Sequence, residues 1–350
     1  MALRDASTVG SPIKLVWWTP IATTNQTAMV EGFRRCGIDA VACYFRTYDD
    51  YRKGLLGWRD RPVGENEYFV SSLAEARRAI PDFDRCVHVV PGYWGKMVWR
   101  LAIHCVLHRR SWYLVTEGSR GGWRTWPLRK LMAVMANRWA RQVLAIGARA
   151  CREFEALGVD RSKLGWTAYA TPEPPPEVLS APRAAGCGFV YAGALTERKA
   201  CDLLAAVWSR VLAEAPEATL RIVGEGPLKS LFEGMQGVEL RGSVPPERVY
   251  AEIAGGDVML LPSRYDPWGV SLMEGAICGM AMIGSDAVNS AELIEDGVNG
   301  VRVRSGDGES LLAAMLRYAK DPALARRHGI AARESALKTT GEELARGFRF

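Results

Sequence analysis

Two carboxylates and a glycine lie close together between Asp257 and Gly300, and their types suit an anionic ligand that also carries hydroxyl groups. Asp266 and Glu274 are separated by seven residues, and Gly269 lies between them. Backbone N–H groups at the start of a helix have no partner within the helix and attract an anion. A carboxylate among apolar neighbours costs free energy unless it accepts hydrogen bonds, which ligand hydroxyls donate. The alternative is that Asp266 caps a helix and Glu274 bonds to the backbone.

These residues fall within a pattern that predicts a strand, a loop, a helix and a second strand. An apolar run from Val258 to Leu261 is followed by a polar loop, and apolar residues at helical spacing continue from Val270 to Gly279. A short apolar run, Met280 to Gly284, follows at once. Ligands of such βαβ units bind where strands end and helices begin, which is where Asp266 and Gly269 lie.

The same stretch resembles a known enzyme family. It has an acidic residue, proline, an aromatic residue, glycine, four further residues and glutamate, after a strand ending in Leu-Pro-Ser. This is similar to the retaining nucleotide-sugar glycosyltransferases of family 4, whose motif has two glutamates separated by seven residues. The chain matches the second glutamate with Glu274 and has Asp266 in place of the first. The resemblance covers residues 189–303 well and the preceding part more loosely.

The resemblance implies a role for each residue of the motif. Glu274 would bind the ribose hydroxyls of the donor, and Asp266 would contact the transferred sugar. The backbone between them would hold the diphosphate, and the loop after a neighbouring strand would lie against the nucleobase. The positions concerned are Gly269, Val270 and Ser271 for the diphosphate and Val244 for the base.

A second anion site is predicted after the strand Gly188 to Gly193. Arg198 and Lys199 stand at the start of a predicted helix that runs through Ala213, where the helix macrodipole alone disfavours cations. A bound anion would remove that conflict, because free N–H groups and both cations would converge on it. The segment resembles the family's Gly-Arg-Leu-x-x-x-Lys-Gly phosphate site, with Lys199 at the Lys and Ala194 at the Arg. The resemblance implies that Lys199 binds the diphosphate, with Arg198 as the candidate substitute for the missing Arg.

Glu117 follows a predicted strand, Trp112 to Thr116, at a place where the resembled family often has a His near the reacting sugar. A carboxylate facing the donor would orient the acceptor hydroxyl or support positive charge at the anomeric carbon. Glu117 and Asp266 are therefore the candidate catalytic residues. The alternative for Glu117 is a loop carboxylate paired with Arg120 or Arg124.

Two further loops follow predicted strands of the first half. The loop from Thr19 to Gln26 carries hydroxyl and amide side chains, which either bond a sugar or phosphate or cap the following helix. Tyr93 and Trp94 either stack on a sugar face or pack the cleft between two domains. Neither pair of alternatives is decided by the residues alone.

The length of 350 residues suits two domains. A proline-rich segment, residues 173–180, is the predicted linker between an acceptor-binding domain, residues 1–172, and a nucleotide-sugar-binding domain, residues 181–330. Residues 308–339 are predicted to be helical, and residues 331–350 to form a helix that returns to the first domain. The predicted fold class is α/β, with two Rossmann-like domains facing each other across a cleft, which is the GT-B fold of the resembled family.

Charge is distributed unevenly along the chain. Residues 1–172 have 26 Lys and Arg against 15 Asp and Glu, whereas residues 173–350 have 19 against 24. Ten of the twelve Trp lie in the first part, many of them between basic residues. Such a pattern predicts a peripheral membrane contact or an anionic acceptor, or is a solvated basic face. No nucleic-acid-binding module accompanies it, so nucleic acid is not an expected partner.

The remaining composition excludes several classes of protein. The eight Cys are scattered without a Cys-x-x-Cys pair, which indicates reduced thiols in the cytosol. His104 and His108 lie one helical turn apart without a third ligand, so no metal site is expected. Neither a bilayer-spanning apolar run nor a hydrophobic signal core is present, so a cytoplasmic location, at the inner membrane face or away from it, is expected.

Together these features predict a hexosyltransferase-type glycosyltransferase of class EC 2.4. It would move a sugar, with retention and without a metal, from a nucleoside-diphosphate donor of UDP or GDP type to an acceptor hydroxyl. The acceptor would be a glycan, a lipid-linked molecule or a specialised metabolite, and no cofactor beyond the donor is expected. Two alternatives stay open: a nucleotide-sugar 2-epimerase-like enzyme, and a catalytically inactive nucleotide-binding scaffold.

Overall fold

A computed structural model describes residues 14–46, 64–118 and 125–350. These residues form two parallel β-sheets, of seven and six strands, each flanked by helices. The chain's first residues and the two predicted partners of Glu117, Arg120 and Arg124, lie outside the described ranges.

The first sheet is built from apolar strands that are buried on both faces, as expected of a parallel sheet between helices. Its strands are β1 Lys14–Thr19, β2 Asp39–Tyr44, β3 Glu67–Phe69, β4 Val87–Pro91, β5 Trp112–Glu117, β6 Gln142–Ile146 and β7 Leu164–Thr167. The flanking helices are α1 Thr24–Arg35, α2 Leu73–Ala79, α3 Lys96–Leu107, α4 Trp126–Trp139 and α5 Gly147–Ala156. The strand order is β3-β2-β1-β4-β5-β6-β7, so the loops after β1 and β4 diverge and leave a crevice between them.

The second sheet repeats this arrangement with the order β10-β9-β8-β11-β12-β13. Its strands are β8 Gly188–Ala192, β9 Thr219–Val223, β10 Val238–Gly242, β11 Val258–Leu261, β12 Ala281–Ser285 and β13 Gly300–Val303. The helices from the linker onward are α6 Pro176–Leu179, α7 Cys201–Glu214, α8 Val249–Ile253, α9 Val270–Ile277, α10 Gly308–Lys320, α11 Pro322–Leu337 and α12 Gly341–Ala345. The order reverses between β8 and β11, which places the predicted donor site in that crevice.

The predicted helix over 308–339 is wrong in one respect, because it is two helices. α10 ends at Lys320 and α11 begins at Pro322, with Asp321 between them. Proline lacks the N–H that would continue the helix, and it favours the first position of a new one. The Asp321 side chain accepts a hydrogen bond from Leu324 N at 2.9 Å and so caps α11.

The last residues of the chain pack against the first half. Gly32 of α1 and Gly341 of α12 touch, because a Cβ added to Gly32 would lie 2.1 Å from the Gly341 carbonyl carbon. Phe348 lies against Phe33 with ring centroids 4.8 Å apart, and the backbone N–H of Thr171 donates to Thr339 O at 2.8 Å. The end of the chain therefore ties the two halves together.

Candidate functional site

A cavity of about 590 Å³ lies between the two halves, at the crevice between β8 and β11. Eight of the nine predicted site residues line it, namely Arg198, Lys199, Val244, Asp266, Gly269, Val270, Ser271 and Glu274. They come from the loops after β8, β10 and β11 and from the first turns of α9. The ninth, Glu117, lines an adjoining cavity in the first half.

The first turn of α9 opens directly into the larger cavity. Gly269 precedes the helix with a φ of +91°, a left-handed conformation that favours glycine. A Cβ at this position would lie 2.5 Å from Val288 Cγ1 and 2.7 Å from Leu261 Cδ2, so no larger residue fits without movement. The N–H groups at the start of α9 therefore meet the cavity without an intervening side chain, which suits an anion.

Lys199 and Asp266 form an ion pair inside this cavity. The Lys199 ammonium donates a hydrogen bond to Asp266 Oδ2, and Asp266 is only 6% exposed. The Asp266 backbone is fixed by its N–H bonding to Ala287 O at 3.1 Å and its carbonyl accepting from Asn289 N at 3.3 Å. Sequence reasoning placed one residue at the diphosphate and the other at the sugar, and it missed their pairing.

The prediction that Arg198 and Lys199 begin a long helix is wrong. They lie on a separate 3₁₀ turn, Glu197–Lys199, and α7 starts only at Cys201. Ala200 between them is buried with φ 57° and ψ 33°, a left-handed conformation that interrupts the helix. The two cations are thus removed from the end of α7, and the expected conflict with its macrodipole is smaller.

Arg264 holds this 3₁₀ turn against the loop after β11. Its guanidinium bonds both oxygens of Asp202 at 2.6 Å each and the Glu197 carbonyl at 2.6 Å. Arg198 in turn donates to Tyr265 O at 3.0 Å. A bidentate pair fixes direction as well as distance, so these contacts position both cations of the cavity. Sequence reasoning did not select Arg264, since nothing in its local pattern distinguishes it from a solvated loop residue.

Glu274 lies one turn into α9 with its carboxylate at the cavity. Burial raises its pKa from 4.5 to about 7. No N–H or O–H group of the described residues donates a hydrogen bond to this carboxylate. Within those residues, Glu274 is therefore not bonded to the backbone, which was the alternative interpretation. A partly buried acid with free acceptor capacity is suited to bind ligand hydroxyls.

The adjoining cavity of about 410 Å³ lies where the loops after β1, β4 and β5 of the first sheet meet. Glu117, at the end of β5, faces into it and accepts a hydrogen bond from the Tyr169 hydroxyl. Burial raises the pKa of Glu117, the Tyr169 hydrogen bond lowers it, and the Asp266 carboxylate across the cleft raises it further. Asn25, Tyr169 and Pro267 line both cavities, so the two spaces communicate.

The structure gives the contacts of the first-half loops, and it shows no helix cap by the side chain of Thr23. Thr23 precedes α1 but makes no side-chain cap, whereas Asn25 donates to Ala170 O at 2.9 Å and ties the loop to the linker. Thr23 also lines the larger cavity. Tyr93 is buried, and Trp94 is 59% exposed while still lining the smaller cavity.

A carboxylate of the second half also caps a helix of the first half. Glu292 accepts hydrogen bonds from Ala148 N at 2.8 Å and from Trp166 Nε1 at 2.6 Å. Ala148 belongs to the first turn of α5, where a carboxylate is favourable. The rings of Trp166 and Trp268 pack edge to face beside it, with centroids 6.2 Å apart. Sequence reasoning missed this contact between the halves, because it joins residues more than a hundred positions apart.

The pairs of Asp and of His whose spacing resembles that of metal ligands lie outside the two cavities. Asp82 and Asp84 form an Asp-x-Asp sequence at the 3₁₀ turn before β4, away from both cavities. Asp84 bonds Arg77 at 2.9 Å and lies 3.6 Å from His104. Within the described ranges, no group of three His, Cys, Asp or Glu side chains is arranged to hold a metal ion. The eight Cys are free thiols, and burial raises the pKa of each of them.

None of the helices in the described parts of the chain is long and apolar enough to cross a bilayer.

Comparison with known proteins shows that the second half is similar to glycosyltransferases. Residues 186–321 match the family model of the glycosyl transferases group 1. Glycogen synthase of Mycobacterium tuberculosis is 28% identical over 160 residues, 44% of this chain and 39% of that protein. The alpha-D-kanosaminyltransferase of Streptomyces kanamyceticus is 24% identical over 172 residues, 46% of this chain and 45% of that one. The aligned parts thus span less than half of these curated relatives.

Solved structures match both halves of the chain. Anabaena Alr3699/HepE, solved in complex with UDP and glucose, has a TM-score of 0.69 at 14% identity and covers 95% of this chain and 97% of its own. A glycosyltransferase from Rickettsia africae has a TM-score of 0.70 at 12% identity, with 96% of each chain covered. At such identities the likeness establishes the fold, and the predicted two-domain α/β architecture is confirmed. The chain therefore has the GT-B fold, and residues 186–321 of its second half match the family model of the glycosyl transferases group 1.

Proposed function

We propose that the protein is a retaining, metal-independent glycosyltransferase of class EC 2.4 that moves a sugar from a nucleoside-diphosphate donor to an acceptor hydroxyl. One observation carries this proposal. A helix N-terminus, two cations and a partly buried glutamate without a hydrogen-bond donor among the described residues line a single cavity, in the part of the chain that matches the glycosyl transferases group 1. Such a set of groups is suited to a diphosphate joined to a pentose, because the cations and N–H groups favour the phosphates and the carboxylate accepts from hydroxyls.

The donor is held mainly by the second half. Lys199, Arg198 and the N–H groups of Val270 and Ser271 meet the diphosphate, while Glu274 accepts hydrogen bonds from the ribose. The loop at Val244 lies beside the nucleobase, which is of uridine or guanosine type. The match to a structure solved with UDP supports a uridine donor first.

The reaction breaks the bond between the anomeric carbon and the diphosphate oxygen and forms a bond from that carbon to the acceptor oxygen. The proton of the acceptor hydroxyl passes to the departing diphosphate. Cations and helix N–H groups stabilise the charge that grows on the diphosphate, in the place of a divalent metal. Glu117 orients the acceptor hydroxyl or supports positive charge at the anomeric carbon, and Asp266 holds the hydroxyls of the transferred sugar.

The acceptor enters the smaller cavity of the first half. Aromatic side chains, including Tyr93, Trp94 and Tyr265, line its walls, and Glu117 lies at its inner end. Such walls suit the apolar faces of a sugar ring or of a specialised metabolite. A lipid-linked glycan fits the same opening, and with it a cytoplasmic location at the inner membrane face.

The test begins with a thermal-shift screen of UDP, GDP and other nucleoside diphosphates against the purified protein. A stabilising nucleotide names the base, and the corresponding nucleotide sugars are then incubated with acceptors and followed by mass spectrometry. The matched variants are Lys199→Ala, inside the cavity, and Lys229→Ala, whose ammonium pairs with Glu225 at 2.9 Å outside it. Binding that survives Lys199→Ala unchanged contradicts the site. Turnover of donor without acceptor indicates a 2-epimerase-like enzyme instead, and binding without turnover an inactive scaffold.

A further inference from the structure

Helix α4 is apolar on both its inner and its outer side. Its inner side, with Met132, Ala133 and Ala136, is buried in the core of the first half. Apolar side chains also cover the outer side and both ends, and about half of each one's surface is exposed, namely Trp126, Leu128, Leu131, Val134 and Trp139. A surface helix of a globular protein normally presents polar residues outward, so the outer side of α4 is unusually apolar for a surface exposed to solvent.

Helix α3 lies beside α4 and extends this surface. The two helices follow the neighbouring strands β4 and β5, and both contribute to the same core cluster on one face of the sheet. Exposed residues of α3 fall at helical spacing, with Lys96 and Arg100 in its first half and Ile103 and Leu107 in its second. Leu107 is 73% exposed. We call the outward residues of the two helices the α3–α4 face.

The charge of the α3–α4 face has one sign. Neither α3 nor α4 contains an Asp or Glu, and the single acidic residue between residues 96 and 152, Glu117, points into the cleft. Lys96, Arg100 and Arg138 are exposed and form no salt bridge with another described residue. Arg129 is different, because it turns inward and pairs with Glu153. The face therefore combines exposed Trp and Leu with uncompensated cations, which is complementary to anionic lipid headgroups over an apolar layer.

We propose that the α3–α4 face docks the protein on the surface of an anionic phospholipid bilayer. Trp and Leu side chains enter the boundary between headgroups and acyl chains, and Lys96, Arg100 and Arg138 meet the lipid phosphates. Both helices begin at the carboxyl ends of the strands, which is the side of the cleft. Trp94, which lines the acceptor cavity, lies two residues before α3. A bilayer on this face thus lies next to the cavity's opening, although the docking itself needs no donor or turnover.

Co-sedimentation with sonicated vesicles tests the proposal directly. The protein should bind vesicles that contain phosphatidylglycerol, bind pure phosphatidylcholine at most weakly, and be released as salt increases. The variant Leu131→Glu/Val134→Glu should reduce the bound fraction about tenfold or more, because both changes place charge on the apolar side. Arg100→Gln/Arg138→Gln should reduce the preference for the anionic vesicles. Ile330→Glu, at an apolar site of the second half that is even more exposed, is the control and should bind like the wild type.

Two outcomes overturn the proposal. One is that the wild-type protein binds neither kind of vesicle. The other is self-association in light scattering that Leu131→Glu/Val134→Glu abolishes, which assigns the face to a second copy of the chain. Because exposed positions are changed, circular dichroism should show an unchanged fold in every variant. Nucleotide binding by the same variants, measured without vesicles, keeps a failure of this proposal distinct from a failure of the proposed transfer.

Discussion

Lys199 and Asp266 neutralise each other in the cleft, with the ammonium bonded to a carboxylate that is 6% exposed. Both side chains line the cavity that we assign to the donor. In the proposed donor complex, the Lys199 ammonium would bond the diphosphate as well as the Asp266 carboxylate. Without a ligand, the Asp266 carboxylate thus takes the place beside Lys199 that we propose for the diphosphate.

Lys199→Ala should reduce both stability and donor binding. Removing the cation leaves the Asp266 carboxylate buried and unpaired, which costs roughly 3 kcal/mol of unfolding free energy. It also removes one cation from the diphosphate, so transfer should fall by at least a hundredfold, or about 3 kcal/mol in transition-state stabilisation. Chemical denaturation and steady-state transfer rates measure the two effects.

The double variant Lys199→Ala/Asp266→Asn separates the effect on stability from the effect on donor binding. The amide needs no counter-ion, so most of the lost unfolding free energy should return. Donor affinity should stay low, because the cation is still missing. If stability and affinity both returned, Lys199 would act only through Asp266 and not at the diphosphate.

Glu274 should make stability depend on pH in an unusual direction. Its pKa is about 7 in the folded protein and near 4.5 in the unfolded chain, so the folded state holds the proton more tightly. Between these values, stability falls as pH rises, by roughly 3 kcal/mol in total, and it changes no further above pH 7 or so. Urea denaturation of the wild type and of Glu274→Gln across this range measures the difference. The contribution should be missing in the Gln variant, and parallel curves for the two proteins would contradict the assignment.

Donor binding should depend on the same ionisation with the opposite sign. Ribose hydroxyls donate to the ionised carboxylate, so the affinity for a nucleotide sugar should rise as pH rises from about 6 to about 8 and then level off. A nucleotide sugar is preferable to a free diphosphate, whose terminal phosphate titrates near pH 6 itself. Calorimetry in buffers of different ionisation enthalpy should detect the released proton. Glu274→Gln should bind more weakly and without this dependence.

Much of the fold could be predicted from local sequence, because buried parallel strands are short apolar runs that end in Gly, Pro or polar loops. The unit from Val258 to Gly284 shows this pattern clearly, and its strands and helix were predicted to within one or two residues. The two helices that were predicted wrongly each failed at one residue with an interrupting backbone conformation. The left-handed Ala200 and the break at Pro322 each divide a segment whose apolar periodicity continues through it.

The candidate site was predicted less completely. Motif spacing identified the residues around Glu274, because they share one loop and one helix. Contacts between distant segments, such as Tyr169 with Glu117 and Arg264 with Asp202, have no local signature, since they arise only when loops after different strands meet at one edge. The exposed apolar side of α4 was likewise hidden, because a sequence shows the amphipathic pattern but not which elements cover it.

Tyr169→Phe should shift the pH dependence of transfer. The Tyr169 hydroxyl lowers the pKa of Glu117, which burial raises, so its removal should move that pKa upward. Because Glu117 is proposed to act ionised, the acid limb of kcat/KM should move to higher pH, while the rate at high pH changes little. Tyr113→Phe is the matched control. The Tyr113 hydroxyl donates a hydrogen bond of 2.5 Å to the Arg349 carbonyl, and this contact lies away from the cleft. An unshifted limb in Tyr169→Phe would mean that Glu117 has no part in the rate.

Glu292→Ala should loosen the contact between the two halves. The carboxylate caps α5 through Ala148 N and bonds Trp166 Nε1, and its loss leaves both donors without that partner. A lost charge-assisted bond of this kind costs about 1–3 kcal/mol, so the urea midpoint should fall and proteolysis within residues 173–180 should accelerate. Glu295→Ala, three residues further on and exposed, removes the same charge without touching the first half. Equal proteolysis of the two variants would show that the Glu292 contact does not hold the halves together, because any effect of net charge alone is common to both.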